Sequence, residues 1–442
     1  MSHYKPYPAY RDSDVEWIGQ VPEHWEVARI KRHASIRTER RSDVSADATY
    51  IGLEDVEAES GQYKPTSGNS RQAEDSTVGI FHEQDVLYGK LRPYLRKAIV
   101  ADMSGACSTE FLVLRTSKTL PRWLHQWLLT PDVTQQIEAG CEGAKMPRAD
   151  WEHVGSIEMP SPCTEEQSQI ISVLHRETIR IDALITKKTR FIKLLKEKRH
   201  ALIDHAVTKG LNPDTPMRDS DVEWLGVIPA HWLVAQLGKI SIARCDGPFG
   251  SGLKSEHYQP DGVRVVRLQN IGWASFKDGN EAFISHGHWQ DVLGCGHEVL
   301  PNDVLIGGLG DDKNPLGRAC VAPANLGPAI VKADCYRFRL NTSRAMPEFI
   351  ALALSATARS ECGYLATGAT RDRLNLGLAS ARVVALPPLN EQVEIVASLN
   401  RDTARIELLT EKTQRSIDLL KERRAAFITA AVTGQLDLRE SA

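Results

Sequence analysis

The chain has 442 residues, enough for two or three domains with separate hydrophobic cores. Its formal net charge of −3 excludes a generally basic nucleic-acid coat, although local basic loops remain compatible with it. The sequence has no apolar run of the roughly 18 residues that a membrane span requires, no secretory signal and no C-x-x-C pair among its eight cysteines, so we expect a cytoplasmic protein with reduced thiols.

A short acidic phrase with a tryptophan occurs twice in the sequence. Its copies are RDSDVEWIG from Arg11 and RDSDVEWLG from Arg218, which lie 207 residues apart. Three further matches keep this spacing, namely Pro22, His24 and Trp25 against Pro229, His231 and Trp232. We call the repeated segments the frame, and its first parts are residues 10–33 and 217–241.

The region after the first frame segment, about 34–158, is predicted to be mixed α/β. The predicted strands are ATYIGLEDV and STEFLVLRT, and the predicted helix is PRWLHQWLLTPDVTQQIEAG. We call this region the first insert.

A long helical segment follows each insert and completes the frame. The first copy opens at Thr164 and the second at Asn390. Each copy contains a Glu-Gln pair near its start, Glu166-Gln167 and Glu391-Gln392, and these pairs lie 225 residues apart. Neither copy contains Pro or Gly before Gly210 or Gly434, so each predicts a helix of about 45 residues, roughly 65 Å long.

Apolar residues of both helical segments follow a heptad spacing. They are Ile170, Leu174, Ile181, Leu184, Phe191, Leu195 and Leu202 in the first copy, and Ile395, Leu399, Ile406, Leu409, Leu420 and Phe427 in the second. Each helix could pack on its own domain, or the two could pair antiparallel as a rod. Two exposed apolar seams would promote aggregation, so we predict that the helices pair.

The second insert, about 242–383, is also predicted to be mixed α/β. Its predicted strands are VRVVRLQNI and DCYRFRL, and its predicted helix is MPEFIALALSATARSE. The two inserts show little resemblance in sequence. A repeated frame with unlike inserts favours a protein whose frame binds the same partner twice while its inserts bind different targets.

Four loops of the inserts mix basic, small and aromatic residues. They are YGKLRPYLRK (88–97), GAKMPR (143–148), DGPFGSGLKSEHY (246–258) and TGATRDRL (367–374). Arginine and lysine in such loops suit guanine edges and phosphates. Each loop alone also fits an ordinary solvated turn. The second and fourth loops lie at equivalent places, just before a strand.

No convincing catalytic or metal-binding pattern occurs in the sequence. The phosphate loop of ATPases is missing, and the carboxylates lack a nuclease-like spacing. HGHWQ (286–290) and CGH (295–297) form one His/Cys cluster, whereas zinc sites usually need two pairs of ligands, so we expect a loop there. We expect His24 and His231 to pack with the tryptophans that follow them.

In its order of motifs the chain resembles the specificity subunit of type I restriction–modification enzymes. The motifs are SDVEWIGQVPEHW and SDVEWLGVIPAHW, YIGLEDV with LYGKLRPYLRKA, DGPFGSGLKSEHY, and PSPCTEEQSQI and PPLNEQVEI before the long helices. The resemblance covers nearly the whole chain. The GAKMPR loop departs from the family because it lacks the fuller basic run often found there.

The resemblance implies an α+β fold with two α/β target-recognition domains, an internal pseudo-twofold repeat and two long helices forming an antiparallel coiled coil that spaces the two halves of a DNA target. The expected domains are 1–158 for the first recognition domain, 159–210 for the central helical spacer, 211–385 for the second recognition domain and 386–442 for the C-terminal helical spacer.

The resemblance also implies the partners of this chain. They are double-stranded DNA with a split, asymmetric target, two methyltransferase subunits, and restriction–translocase subunits held through the methyltransferases. S-adenosylmethionine, ATP and Mg²⁺ would be bound by those partner subunits, so we expect no cofactor, no metal and no catalysis in this chain.

The predicted DNA-binding residues lie in the four loops. In the first insert they are Lys90, Arg92, Tyr94, Arg96, Lys145 and Arg148; in the second they are Ser251, Lys254, Thr370, Arg371 and Arg373. Each set is expected to act on one half of the target. Two other classes of protein remain open: a stand-alone DNA-modifying enzyme, and a duplicated scaffold that does not read DNA.

Overall fold

The computed structural model describes residues 4–439 apart from 46–47, 66–76, 142, 144, 250–251, 295, 312 and 366–372. The chain forms two compact units, of which unit 1 comprises residues 1–189 and 414–442, and unit 2 comprises residues 190–413. Both long helices therefore contribute residues to both units. A search of the described helices finds none with the length and apolar character of a membrane span.

The strands of unit 1 are short, and they all belong to the frame or the first insert. They are β1 (Tyr10–Asp12), β2 (Gln20–Pro22), β3 (Glu26–Arg29), β4 (Ala34–Ile36), β5 (Arg40–Arg41), β6 (Tyr50–Ile51), β7 (Val78–Phe81), β8 (Val86–Gly89), β9 (Ala98–Val100), β10 (Gly105–Cys107), β11 (Phe111–Thr116) and β12 (Glu158–Ser161).

The strands of unit 2 are also short. They are β13 (Met217–Asp219), β14 (Val227–Pro229), β15 (Leu233–Gln236), β16 (Ser241–Cys245), β17 (Tyr258–Gln259), β18 (Val263–Val266), β19 (Phe283–Ile284), β20 (Glu298–Val299), β21 (Val304–Gly307), β22 (Ala319–Val321), β23 (Ala329–Val331), β24 (Cys335–Leu340) and β25 (Val383–Leu386).

The described helices confirm the two long segments. They are α1 (Pro121–Leu128), α2 (Pro131–Ala139), α3 (Trp151–Ser156), α4 (Thr164–Lys209), α5 (Pro347–Ala356), α6 (Ala358–Leu365), α7 (Leu376–Ala381) and α8 (Leu389–Val432). The long helices α4 and α8 have 46 and 44 residues. The helix predicted over 121–140 is instead two helices, because the ring of Pro131 removes an N–H donor and starts α2.

Each insert is built around a four-stranded antiparallel sheet, and the two sheets have equivalent order. The order is β4-β11-β8-β9 in unit 1 and β16-β24-β21-β22 in unit 2. Each unit also has a second sheet with one parallel pair, β6 with β10 and β18 with β23. The inserts therefore share a core topology that their sequences do not reveal, because different apolar residues satisfy the same buried strands.

The central strands are apolar without interruption because both of their faces are covered. In unit 1, Val86 and Tyr88 belong to the core beneath α1 and α2, whereas Leu87 between them belongs to a second core beside β6. In unit 2, Val304 and Leu305 divide between two cores in the same way. Side chains alternate between the two faces of a strand, so consecutive apolar residues serve both cores.

The frame closes each insert by a pair of antiparallel strands. In unit 1, β3 pairs with β12, the strand that leads into α4; in unit 2, β15 pairs with β25, which leads into α8. This pairing brings the start of each insert beside its end. The frame segment and the beginning of the long helix thus form one continuous platform in each unit.

The two long helices pair antiparallel within each unit. In unit 1, Ile170 and Leu174 near the start of α4 share a core with Phe427 and Ile428 near the end of α8. In unit 2, the end of α4 shares a core with the start of α8, through residues Ile203, Ala206, Val207, Ile395, Val396 and Leu399. The predicted antiparallel pairing is confirmed.

Ion pairs at equivalent positions support this pairing. Asp182 contacts Arg424 at 3.0 Å in unit 1, and Glu407 contacts Arg199 at 3.5 Å in unit 2. Asp182 and Glu407 lie 225 residues apart, as do Arg199 and Arg424. The same contact between the two copies of the frame is therefore made once in each unit.

The predicted heptad seam is only partly buried. Ile181, Leu195 and Ile406 are buried, but Leu184, Phe191 and Leu409 are 42%, 44% and 39% exposed. Two paired helices bury only a narrow strip of each helix surface unless a further element packs on them. Only one row of the predicted apolar residues is therefore covered by the opposite helix. The second row of the predicted seam is left at the surface.

Candidate nucleic-acid interface

A buried carboxylate ties the frame phrase to the start of each long helix. In unit 1, the Glu166 carboxylate accepts hydrogen bonds from Trp25 Nε1 at 3.1 Å and Tyr7 OH at 2.8 Å, and its other oxygen lies 2.8 Å from His24 Nε2. Burial and the hydrogen bond to Glu166 raise the pKa of Tyr7 above its usual value. The expected partner of His24 is Trp25; in the structure the His24 ring contacts this glutamate and lies 5.7 Å from the Tyr7 ring.

Unit 2 repeats the carboxylate contacts with Glu391. Its oxygens lie 3.0 Å from Trp232 Nε1 and 2.7 Å from His231 Nε2. The next residue has an equivalent role in both units, because Gln167 and Gln392 each accept a backbone N–H just before a proline-led helix, from Leu120 and Met346. The repeated residues therefore hold each insert at a defined angle on the frame.

The first two predicted loops meet in unit 1. The backbone N–H of Arg92 donates to Pro147 O at 2.9 Å, and Leu91 forms an isolated antiparallel bridge with Arg148. The side chains of Arg92, Lys145 and Arg148 are exposed, Tyr94 is 46% exposed, and Lys90 is half-buried. The structure thus brings together five of the six residues predicted for this insert on adjoining loop backbone.

Two arginines of the first loop adopt a backbone conformation that is uncommon for residues with a side chain. Arg92 has φ +54° and Arg96 has φ +47°, and they flank a short 3-10 turn over Pro93–Leu95. Left-handed backbone at non-glycine residues costs energy and is concentrated at functional loops. The strain makes this loop a stronger candidate for binding than its composition alone.

Arg96 has a different environment from the other loop residues. Its guanidinium contacts the Glu59 carboxylate at 2.7 Å and its side chain is only 17% exposed. It lines a cavity between the insert and the part of the long helices that belongs to unit 1. Arg96 therefore points away from the exposed group formed by Arg92 and Arg148.

The third and fourth predicted loops also meet, in unit 2. Arg373 contacts the Asp334 carboxylate at 2.8 Å, and its guanidinium lies 5.7 Å from the centre of the Phe249 ring. Leu309 forms an isolated bridge with Arg373. Lys254 is exposed and contacts Glu256 at 3.6 Å. Ser251, Thr370 and Arg371 lie outside the described residues.

The two loop pairs contain the same ion pair. Arg148 contacts Glu110 at 3.0 Å in unit 1, and Arg373 contacts Asp334 in unit 2. Each acid comes directly before the central strand of its insert, β11 or β24. Both arginines are exposed and contact one acid each, and an exposed guanidinium has further N–H groups that can donate to a guanine edge.

Burial perturbs the pKa of Asp246, and the charge of Asp334 perturbs that of Arg373. Burial raises the pKa of Asp246 to about 6, although backbone N–H groups of Gly247 and Asp334 hydrogen-bond to its carboxylate. The charge of Asp334 raises the pKa of Arg373. The loop therefore combines a permanent cation with a carboxyl group that changes charge near neutral pH.

Several candidate residues were missed from the sequence. Glu110 and Asp334 carry a signal, since an acid stands at or near the start of the predicted strands STEFLVLRT and DCYRFRL, and it directly precedes the observed strands β11 and β24. A second group surrounds Tyr258, whose hydroxyl accepts from Lys332 Nζ at 3.1 Å and whose ring lies 6.0 Å from the Arg267 guanidinium. Lys332 and Arg267 directly follow the apolar strands β23 and β18, so the sequence pattern assigns them to strand ends and gives no sign of a binding role.

No cluster of metal ligands is found among the residues that the structure describes. A search for three or more His, Cys, Asp or Glu side chains able to hold one ion finds none there. His288 instead contacts the backbone oxygen of Gly252 at 2.9 Å and stacks on His257 at 4.0 Å. These contacts hold His288 against the backbone of Gly252 and the ring of His257.

Comparisons of sequence relate the chain to specificity subunits. No protein-family model matches it. It is 25% identical over 173 residues to the EcoDI type I restriction enzyme specificity subunit of Escherichia coli, covering 37% of this chain and 38% of that protein. It is 22% identical over 309 residues to the MjaVIII specificity subunit of Methanocaldococcus jannaschii, covering 69% and 68%. The match thus spans well under two thirds of the EcoDI subunit.

Comparisons of structure cover almost the whole chain. A chain from a structure of the complex assembly and conformational transition of the type I R-M system superposes with a TM-score of 0.72, at 19% identity, over 93% of this chain and 98% of that one. The HsdS subunit from Thermoanaerobacter tengcongensis superposes with a TM-score of 0.53, at 18% identity, over 94% and 98%. In sequence, this chain is similar to specificity subunits of type I restriction enzymes, and its fold is similar to that of the HsdS subunit.

Proposed function

We propose that the chain is the DNA sequence-recognition subunit of a type I restriction–modification complex and reads a bipartite, asymmetric target, one half per insert. The observation that carries the proposal is the pair of equivalent loop sites, each with an exposed arginine held by an acid on the same sheet topology, Arg148 with Glu110 and Arg373 with Asp334. Equivalent positions with unlike surrounding loops suit two different half-sites.

Within each loop pair, two kinds of contact are expected. Arginines oriented by an acid, Arg148 and Arg373, are placed to fork onto a guanine edge, while lysines such as Lys90 and Lys254 hold phosphates. Phosphate contacts supply affinity and salt dependence but no sequence preference. Arg96 is paired with Glu59 inside a cavity and would reach DNA only if that ion pair opened.

The frame is proposed to bind two methyltransferase subunits, one per copy. Four leucines at equivalent positions of the long helices support this, because apolar groups exposed twice at the same place suit two copies of one partner. They are Leu184 and Leu419 in unit 1, and Leu194 and Leu409 in unit 2.

Restriction–translocase subunits would join through the methyltransferases. S-adenosylmethionine, ATP and Mg²⁺ would be bound by those partners, leaving this chain without catalysis.

An exchange of inserts tests the proposal. Residues 242–383 are replaced by the insert of another family member, the chain is expressed with its methyltransferase partner, and the methylated sequence of the host genome is determined. One half of the methylated sequence should change and the other should persist. The matched exchange of residues 34–158 should change the opposite half. A swap that alters both halves, or neither, contradicts the proposal.

The two rival classes give different results. A stand-alone DNA-modifying enzyme would bind S-adenosylmethionine as an isolated chain, which calorimetry would detect. A scaffold that does not read DNA would bind all duplexes equally, so competition between duplexes of different sequence separates it from a recognition subunit.

A further inference from the structure

Unit 2 contains a cavity whose wall is rich in positive charge. Its volume is about 510 Å³, and it lies where the second insert meets the parts of α4 and α8 that belong to this unit. The described cationic side chains that line it are Lys196, Arg199, Lys277, Lys313 and Arg318, against two acids, Glu407 and Glu411. The described lining therefore carries three more positive than negative charges. This volume lies within the range of small-molecule sites.

Most of these cations have no counter-ion. Lys196, Lys277 and Lys313 are exposed and make no ion pair among the described residues, and Arg199 contacts Glu407 at 3.5 Å. Lysines that gather around one cavity without partners repel one another. An arrangement of this kind is stabilised by an anion.

Arg318 is the strongest single feature of the cavity. It is 4% exposed, and its guanidinium donates to backbone oxygens, including those of Ile271 at 2.7 Å and Leu268 at 2.9 Å. No carboxylate of the described residues forms an ion pair with it. Buried arginines are normally paired with a negative charge. Backbone oxygens thus accept the hydrogen bonds of Arg318, while its positive charge has no paired carboxylate among the described residues.

The other wall of the cavity is aromatic and fixed. The centre of the Trp273 ring lies 5.3 Å from the Arg199 guanidinium and 4.9 Å from the centre of the His200 ring. The loop with Lys313 is also held in place, because Asp311 accepts the backbone N–H groups of Lys313 and Asn314 at 2.8 and 2.7 Å. The cations therefore line a preformed cavity.

Unit 1 supplies an internal comparison. Its equivalent cavity, of about 280 Å³, is lined by the matching helix positions, with Lys421 for Lys196 and Arg424 for Arg199. Its other cations are neutralised by nearby acids, with contacts Lys64–Glu57 at 2.6 Å and Arg96–Glu59 at 2.7 Å, and Arg424 contacts Asp182 at 3.0 Å as Arg199 contacts Glu407. The frame thus provides the same basic pair twice, but only the second insert adds further unpaired cations.

We propose that the cavity of unit 2 binds a small molecule bearing an oligophosphate group, such as a triphosphate, held by Lys196, Lys277 and Lys313, with the buried charge of Arg318 adding to the attraction. Several lysines converging from different elements suit several phosphate oxygens at once. The cations surround a single cavity of about 510 Å³, which suits a compact ligand, whereas the backbone of duplex DNA is recognised along an extended groove. The proposal does not depend on which DNA sequence the inserts read.

Calorimetric titration of the full chain tests the ligand class. Sodium triphosphate, ATP and adenosine are titrated separately at low salt. Triphosphate and ATP should both bind with one site per chain, whereas adenosine should not bind. If ATP binds and triphosphate does not, a nucleoside carries recognition and the proposal is wrong. If neither phosphate binds at millimolar concentration, the proposal is equally wrong.

Matched variants locate the site. Lys196→Gln should weaken triphosphate binding about three- to tenfold, as expected for the loss of one charge-assisted contact. Lys421→Gln, at the equivalent helix position of unit 1, should leave the affinity unchanged. Both are exposed lysines, and thermal unfolding confirms that the variants fold. Equal weakening by both variants overturns the assignment to unit 2. A second result also overturns the proposal: no oligophosphate binds the unaltered chain, and Lys196→Gln weakens the binding of duplex DNA instead.

Discussion

The indole N–H of Trp25 donates to the carboxylate of Glu166 at 3.1 Å, and 207 and 225 residues further along the chain Trp232 and Glu391 make the same bond at 3.0 Å. Two residues that are repeated at different spacings thus meet in the same way in both units. The lengthening of the second insert, which separates the two spacings, leaves this bond unchanged.

The two carboxylates should differ in their effect on stability. Glu391→Ala removes the acceptor of Trp232 and His231 and should lower the free energy of unfolding by about 1–3 kcal/mol. Glu166→Ala should cost more, because Glu166 is more deeply buried and also accepts from Tyr7. Urea unfolding of both variants measures this, and an equal or reversed order would contradict the contact analysis.

The ion pairs between the long helices should be measurable by double-mutant cycles. Asp182 with Arg424 should show a coupling of about 0.5–1 kcal/mol in urea unfolding, since both side chains are partly buried. Glu407 with Arg199 should show less, because the pair is longer and Glu407 is mostly exposed. Asp182 with Arg199, which are not in contact, serves as the control and should show no coupling.

Arg148 and Arg373 should act on different halves of the target. Arg148→Ala should relax base preference at one position of one half-site, by about 1–3 kcal/mol, and Arg373→Ala should do so in the other half. Binding is measured on duplexes in which one half at a time is altered. Lys254→Ala serves as the comparison, because loss of a phosphate contact weakens binding to all sequences and reduces its salt dependence. Loss of preference in both halves from one arginine would be inconsistent with separate recognition.

The exposed leucines of the long helices should determine how many partner subunits bind. Leu419→Glu in unit 1 should remove one methyltransferase subunit from the complex, and Leu409→Glu in unit 2 should remove the other, because a charge in an apolar contact is costly. Mass measurement of the assembled complex counts the subunits. Leu211→Glu, an exposed leucine outside both helices, is the control. Complexes with two methyltransferases in both variants would show that this surface is not the contact.

Asp246 should make stability depend on pH. Its pKa is raised from 3.8 to about 6 in the folded chain, so the folded state binds the proton more tightly than the unfolded state. The free energy of unfolding should therefore decrease as the pH rises from about 4 to about 6, by on the order of 1–2 kcal/mol after allowance for partial exposure. Asp246→Asn should abolish this contribution in a pH series of urea midpoints. Asp214→Asn, at an exposed acid, should leave it intact.

The sequence by itself determined the repeat, the two long helices and the loops worth examining. Helix length follows from local composition, since Thr164 to Lys209 contains neither proline nor glycine, and a repeat is visible wherever identical residues keep a spacing. The break at Pro131 was also present in the sequence, and a stricter use of proline as a helix breaker would have found it. These features depend on neighbours in the chain.

Only the tertiary structure decided which distant residues meet. The two inserts share a sheet order that their sequences conceal, because many apolar residues fill a buried strand equally well. Arg148 meets Glu110, and Arg96 turns instead to Glu59, because strand register and a left-handed backbone direct each side chain, and neither is visible in loop composition. The difference between the two cavities arises in part from ion pairs between residues far apart in sequence, such as Arg96 with Glu59 and Arg424 with Asp182, which only the packing of the chain brings together.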